Sequence, residues 1–296
     1  MKRVIKHKAL LRRKGDQIMK KTNKGIIAAC VAATVLVIAG CGQSNTNTPA
    51  SETAVQAPTG AVIPNTVFSA DDLVGKTIGT QLGTTGYIFA GDVENATVEA
   101  YNKAADAIQA LKQGKIDAVI IDSEPAKVFV QKNDDLTILS DPFAEEEYSI
   151  AYKIGNDELG KKIDDALTSL KSDGTLDSIV SHWIGDEADH VPYTPDSSVA
   201  RNGKLVMATN AEFPPYESME GGAIVGIDVD MMNAVCDRIG MELEIENMAF
   251  DSIIAAVNSG KADVGVAGMS VTPKRQKNVS FTQGYAVSKQ VIVVRK

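Results

Sequence analysis

Residues 105–122 read ADAIQALKQGKIDAVIID, and residues 251–268 read DSIIAAVNSGKADVGVAG. Ile108 and Leu111 in the first match Ile254 and Val257 in the second, and the turn Gly114-Lys115-x-Asp117 matches Gly260-Lys261-x-Asp263. Each copy describes an amphipathic helix, a glycine C-cap and a nearly all-apolar segment. An apolar run of that length fits a buried parallel strand. One such unit twice in one chain predicts two similar α/β lobes. Ligands of open parallel sheets sit beyond the carboxyl ends of the strands. Those ends are Asp122 in one copy and Gly268-Met269-Ser270 in the other, so the repeat aims two half-sites at one cleft.

The pattern extends outward from both copies. Strands are predicted at 76–81, 97–101, 118–122, 148–152, 204–209, 242–246, 262–267 and 290–295. Helices are predicted at 104–113, 124–132, 157–171, 175–183, 227–239 and 250–259, with a turn and helix over 83–92. Strand and helix alternate, as in an α/β protein. Cys236 falls on an apolar helical face and reads as a buried thiol. The stretch 186–202, with Pro192 and Pro195, reads as a linker.

The chain has 296 residues and a formal charge of −8, unevenly spread. Residues 1–40 hold ten of the 30 lysines and arginines and one of the 38 acids, so the remainder carries 20 bases against 37 acids, a net of −17. A body that acidic does not offer a nucleic-acid surface. Ile26–Ala39 is an apolar run behind Lys20, Lys21 and Lys24, short of the ~20 residues that span a bilayer. It reads as a signal peptide over 1–40, residues 1–18 preceding a better start at Met19. The run closes on Ile38-Ala39-Gly40-Cys41, a pattern like a bacterial lipobox, with Cys41 as the lipidated residue. Residues 41–65, rich in Ser, Thr, Asn, Pro and Ala, read as a flexible tether.

A free amino acid carries a carboxylate and an ammonium on one carbon. Its site needs a forked cation, backbone N–H groups and a carboxylate nearby. Ser270-Val271-Thr272-Pro273-Lys274-Arg275 reads as a helix start with Thr272 at the N-cap, able to bind an anion with help from Arg275. Read instead as an ordinary surface helix, it carries only a solvated arginine. Gly83-Thr84-Thr85-Gly86 offers two hydroxyls and close backbone approach. Asp122 is either an ammonium ligand or the N-cap of the helix that follows it. Phe213, Tyr216 and Phe250 either sandwich a ligand or pack in the core. The three histidines, His7, His182 and His190, lie away from the strand ends. No Cys/His metal spacing, nucleophile elbow or phosphate loop occurs, so no cofactor, metal or catalysis is expected.

These residues have a family likeness. KLVMATNAEFPPYESMEGG (204–222), VGIDVDMMNAV (225–235), FDSIIAAVNSGKADVGVAGMSVTPKRQKNVSFTQGY (250–285), VGKTIGTQLGTTG (74–86) and GKIDAVIIDSEPA (114–126) resemble the polar amino-acid substrate-binding proteins of ABC importers. The resemblance covers roughly 66–185 and 203–296. It implies a hinged, two-lobed type II periplasmic-binding-protein fold. It implies that Arg275, Ser270, Thr84 and Thr85 hold the ligand carboxylate. Asp122, the Gly268 carbonyl and Ser270 would hold the ammonium. Asn210, Phe213 and Phe250 would line the side-chain pocket, with Gln81 facing it from the other lobe. Some relatives carry Lys or a second polar residue where this chain has Gln81 or Ile121, so side-chain specificity does not carry over.

One departure is large. The family begins with the KLVMAT strand and reaches its GKTIG lobe after the VIVVR strand, whereas here the halves are in inverted order. A circular permutation accounts for this, with 66–146 as one lobe, 147–296 as the other and 186–203 as the permutation linker. A gene fragment or truncated tandem is the alternative. The expected protein is monomeric and lipid-anchored at the extracytoplasmic face of the membrane, and it delivers an amino acid to importer subunits. The competing readings are a dehydratase-like enzyme on the same fold, with Glu212 as its one candidate acid or base, and a sensing module for a membrane partner.

Overall fold

The computed structural model describes residues 63–184 and 192–296. Cys41, the signal peptide and most of the tether lie outside these residues. Eight strands form one continuous path, in the order β10 (Glu242–Asn247), β6 (Lys204–Thr209), β11 (Val264–Gly265), β5 (Ala144–Lys153), β12 (Val279–Arg295), β3 (Ala118–Asp122), β1 (Thr77–Gln81) and β2 (Thr97–Tyr101), and β4 (Leu136–Ile138) pairs with β12 off that path.

The first half of the path carries the first copy of the repeat. It contains β1 (Thr77–Gln81), β2 (Thr97–Tyr101), β3 (Ala118–Asp122) and β4 (Leu136–Ile138), with helices α1 (Thr85–Gly91), α2 (Ala104–Lys112) and α3 (Ser123–Gln131). Both β2 and β3 run parallel to β1. The second half carries the other copy. Its strands are β6 (Lys204–Thr209), β10 (Glu242–Asn247) and the short β11 (Val264–Gly265). Its helices are α4 (Asp157–Ser172), α5 (Thr175–Trp183), α6 (Ile227–Ile239) and α7 (Ile253–Ser259). Here β10 and β11 flank β6 in parallel. Both copies of the repeat thus fold as helix, glycine turn and buried parallel strand. Gly114 at φ 69° and Gly260 at φ 79° make the left-handed turns.

Two long strands join the halves. β5 (Ala144–Lys153) and β12 (Val279–Arg295) run antiparallel from Val279↔Lys153 to Gln290↔Ala144, with register shifts around Gly284. β5 continues into the second half by pairing with β11. β12 continues into the first half, where Gln290, Val291, Ile292 and Val293 pair with Asp122, Ile121, Ile120 and Val119.

Three expectations change here. The terminal strand predicted over 290–295 is the end of a 17-residue strand. Its far end joins the first half: Val291 and Val293 pack among Ile108, Leu111 and Ile121, and Ile292 and Val294 among Ile78, Ala118 and Ile120. Alternating side chains of one strand fill both faces of the neighbouring lobe. The helix expected from Thr272 is only a 3₁₀ turn over Arg275–Lys277, because β12 begins at Val279. The strand expected over 262–267 shortens to Val264–Gly265.

The second half keeps its own core, built from α4, α5 and α6 around Tyr148, Ile150, Leu205 and Met207. Cys236 is wholly buried there, and burial pushes its thiol up to about 12. The described part of the linker is pinned to α6. Tyr193 donates its N–H to Asp230 (2.9 Å) and its hydroxyl to Asp237 (2.8 Å), and Arg201 pairs with Asp237. A small antiparallel sheet, β7 (Glu212–Phe213), β8 (Glu217–Glu220) and β9 (Ala223–Val225), covers the start of α6; sequence periodicity had not shown it.

Candidate ligand-binding site

Where the two halves face each other, one cavity is lined by every residue expected at the site. Gln81, Thr84, Thr85 and Asp122 come from the first half. Asn210, Phe213, Phe250, Gly268, Ser270 and Arg275 come from the second, joined by Ala267, which sequence reasoning had not singled out. The empty space is ≈ 300 Å³ including its open mouth, but a water-sized sphere can centre itself in only ≈ 10 Å³ of it. The halves are therefore nearly shut on one another.

Arg275 is buried to 6 % exposure at the floor. Thr272 Oγ1 accepts the Arg275 backbone N–H at 3.2 Å and fixes the turn. The guanidinium donates through Nη1 to Ser270 O (2.6 Å) and through Nη2 to Gly83 O of the other half (3.0 Å). It also stands 5.3 Å from the centre of the Phe250 ring. Burial pulls its pKa down to about 10, which leaves it charged at neutral pH.

Asp122 ends β3 with its side chain turned away from α3. It makes no capping bond there and instead accepts from Tyr148 Oη and from Ser288 Oγ (3.1 Å). Asp122 thus occupies the N-cap position of α3, but its carboxylate does not cap the helix. Burial pushes its carboxyl up to about 6; the Tyr148 hydrogen bond holds it down, and the charge of Glu146 raises it further. Among the described residues no ion pair joins Asp122 to Arg275. Two opposite charges therefore line one cavity, each satisfied only by neutral groups.

Thr84 caps α1, accepting the Tyr87 N–H at 3.2 Å. Thr85 gives its hydroxyl proton to Glu146 Oε2 (2.7 Å), and Gln290 Nε2 donates to the same oxygen (2.9 Å). A hydroxyl has one proton to give. The anion-binding role implied for Thr85 requires that hydroxyl to change partner. Glu146, Gln290, Tyr148 and Ser288 form a layer behind the cavity. Their only sequence signal would have been the β5–β12 pairing.

Gly268 has φ 54°, and a Cβ there would lie 2.7 Å from Phe213 Cε1, so glycine is required. Phe213 stacks on Tyr216, which sits in the core rather than on the cavity. Three contacts cross the cleft. Besides Arg275 to Gly83 O, Gln81 Nε2 donates to Asn210 Oδ1 (2.8 Å), and Lys103 Nζ pairs with Glu212 Oε1 (2.6 Å). Glu212 is thus engaged at the mouth and does not line the cavity. Among the described residues no group of three or more His, Cys, Asp or Glu could hold a metal, and no helix is long and apolar enough to cross a membrane.

Residues 205–296 match the family described as bacterial extracellular solute-binding proteins, family 3. The arginine-binding extracellular protein ArtP of Bacillus subtilis (strain 168) is 40% identical over 93 residues, which is 31% of this chain and 36% of that protein. The L-cystine-binding protein TcyJ of Escherichia coli (strain K12) is 33% identical over 141 residues, 47% of this chain and 53% of that protein. Among solved structures, the arginine-bound form of domain 1 from TmArgBP is 37% identical over 32% of this chain and 81% of that one, with a TM-score of 0.27. The chain spans between about a third and a half of the length of the two curated relatives. The likeness to the bacterial extracellular solute-binding proteins, family 3, thus rests on residues 205–296.

Proposed function

We propose that the chain binds one free amino acid between its two halves, with the α-carboxylate at Arg275 and the α-ammonium at Asp122, and passes it to an ABC importer. The observation that carries this is the pair of buried opposite charges on one cavity, neither of them in an ion pair among the described residues. A zwitterion supplies both. Once the halves part, Asn210 and Gln81 would meet a polar side chain, and Phe213 and Phe250 its apolar stem. The relatives' names, which specify arginine and cystine, support the ligand class. Lipid anchoring at Cys41 on the extracytoplasmic face, with a monomeric body, belongs to the same proposal and is supported by the 38–41 pattern. So does the permuted order of halves, supported by a sheet in which residues 63–296 supply both.

One purification tests the reading. Recovered from bacterial membranes, the protein should be acylated at Cys41 and carry an amino acid, both identified by mass spectrometry. Arg275→Ala should then weaken that amino acid by roughly 30-fold to several thousandfold in calorimetry, the effect of stranding one member of a buried charge pair. Unchanged affinity in Arg275→Ala would remove the site assignment.

A further inference from the structure

Behind Gly268 lies a second ionisable group that the proposed ligand chemistry does not use. Glu217 on β8 and Asp228 on α6 are both wholly buried. Gly226, at φ 134°, brings them together, because a Cβ there would collide with Tyr216 O. Its absence lets the start of α6 close on the loop before β8. Ile227 N–H donates to Pro215 O (3.1 Å) and Asp228 N–H to Tyr216 O (3.0 Å).

Asp228 Oδ2 accepts two bonds, from Gly268 N–H (2.9 Å) and from Tyr285 Oη (2.9 Å). The other three carboxyl oxygens, Asp228 Oδ1 and both of Glu217, meet no donor among the described residues. The titratable groups facing the pair are Tyr216 before β8, Tyr285 on β12 and, further off, Asp122 on β3. None of these is a cation. Two ionised carboxylates buried side by side, with no cation facing them among the described residues, are strongly disfavoured. One proton resolves the arrangement, since a carboxylic acid at Glu217 supplies the donor that Asp228 Oδ1 lacks.

We propose that Glu217 is a protonated positioning residue: its O–H donates to Asp228 Oδ1, and the singly charged pair holds the Gly268 turn that forms one wall of the ligand cavity. Burial first, and then the charge of Asp228, push the Glu217 carboxyl well above the usual range. Asp228 is raised by burial to only about 6, because its hydrogen bonds oppose the rise. The pair therefore carries its single charge on Asp228 at neutral pH. Only the link from Gly268 to ligand affinity rests on the amino-acid reading above.

The test has one arm without ligand and one with it. Wild-type protein labelled with carboxyl-¹³C glutamate should show a protonated-carboxyl infrared stretch at pH 8, absent from Glu217→Gln. In denaturant titrations the unfolding constant of the wild type, relative to Glu217→Gln, should rise by up to about tenfold per pH unit above pH about 4.5, because the unfolded chain releases a proton that the folded chain keeps. With arginine as the probe, Glu217→Met should weaken binding by about tenfold or more, and Glu217→Gln, whose amide can donate, should recover most of that loss. A wild-type spectrum without the band, or parallel pH profiles for wild type and Glu217→Gln, would overturn the proposal. If Glu217→Gln does not fold, the wild-type band alone decides. Band and pH profile as expected, with no arginine bound by any form, would uphold the shared proton and count against arginine as the ligand.

Discussion

Asp122 sits under two hydroxyls with no cation against it, and that has opposite consequences for stability and for binding. Its folded pKa, about 6, lies above the ordinary 3.8. The unfolded chain therefore releases this proton first, and the folded state loses stability as pH rises from about 4 to about 6. Two pH units at about 1.4 kcal/mol each amount to ~3 kcal/mol. Asp122→Asn should accordingly be more stable than wild type at pH 7 by up to ~3 kcal/mol and equal to it near pH 3, measured by urea denaturation without ligand. The same variant should bind an amino acid less tightly at pH 7, having lost the charge that faces the ammonium. A variant destabilised at pH 7 would mean that the carboxylate is better solvated than its burial implies. The site's ends were legible in the sequence because Asp122, Gly268 and Ser270 close the two copies of the repeat. Glu146 was not, because three consecutive acids, Glu145–Glu147, read as a solvated run until β12 is laid beside them.

At the level of elements, β12 was the hardest to read. Gln283, Gly284 and Lys289 break its alternation, and the bulges around Gly284 make its two ends face different neighbours. Periodicity reports which faces are apolar but not which strand lies alongside, so the switch of partner at Gln290 left no local trace. The first repeat helix was legible to within one residue; the second, expected from 250, opens as a 3₁₀ turn over Phe250–Ser252 before α7 begins at Ile253. The far end of β12 is held by Arg295, 8 % exposed, whose Nη1 donates to Leu111 O (2.7 Å) and Ile116 O (2.7 Å) around the end of α2. Arg295→Ala removes the charged donor from both carbonyls, and Leu111 O keeps the Gly114 N–H (3.0 Å). The substitution should cost about 3 kcal/mol of stability in chemical denaturation, on the scale of a lost charged hydrogen-bond donor. A loss below about 1 kcal/mol would show that water replaces the guanidinium.

Over the whole molecule, the cleft is shut by few groups. Gln81 to Asn210 is buried, Arg275 to Gly83 O is partly buried, and the Lys103–Glu212 pair at the mouth is exposed. A solvated ion pair contributes little and is screened by salt. Glu212→Gln should widen the ligand-free particle in small-angle scattering and weaken ligand by no more than about fivefold. Added salt should do the same to wild type and nothing further to the variant. In Glu212→Gln, widened before ligand is added, a ligand that binds without compaction would exclude a hinged closure, since closure requires tighter binding to the shut form. The β12–β3 ladder also sets a schedule for synthesis. Ile120 pairs with Ile292, about 170 residues later. At about 5–20 residues per second, a ribosome needs roughly ten to thirty seconds to supply that partner. Until then the nascent first half presents Ala118–Ile121 as a bare, apolar strand edge, the kind of surface that chains in a crowded polysome join to one another. Expression yield should therefore depend on what shields residues 118–121 while the rest is being made.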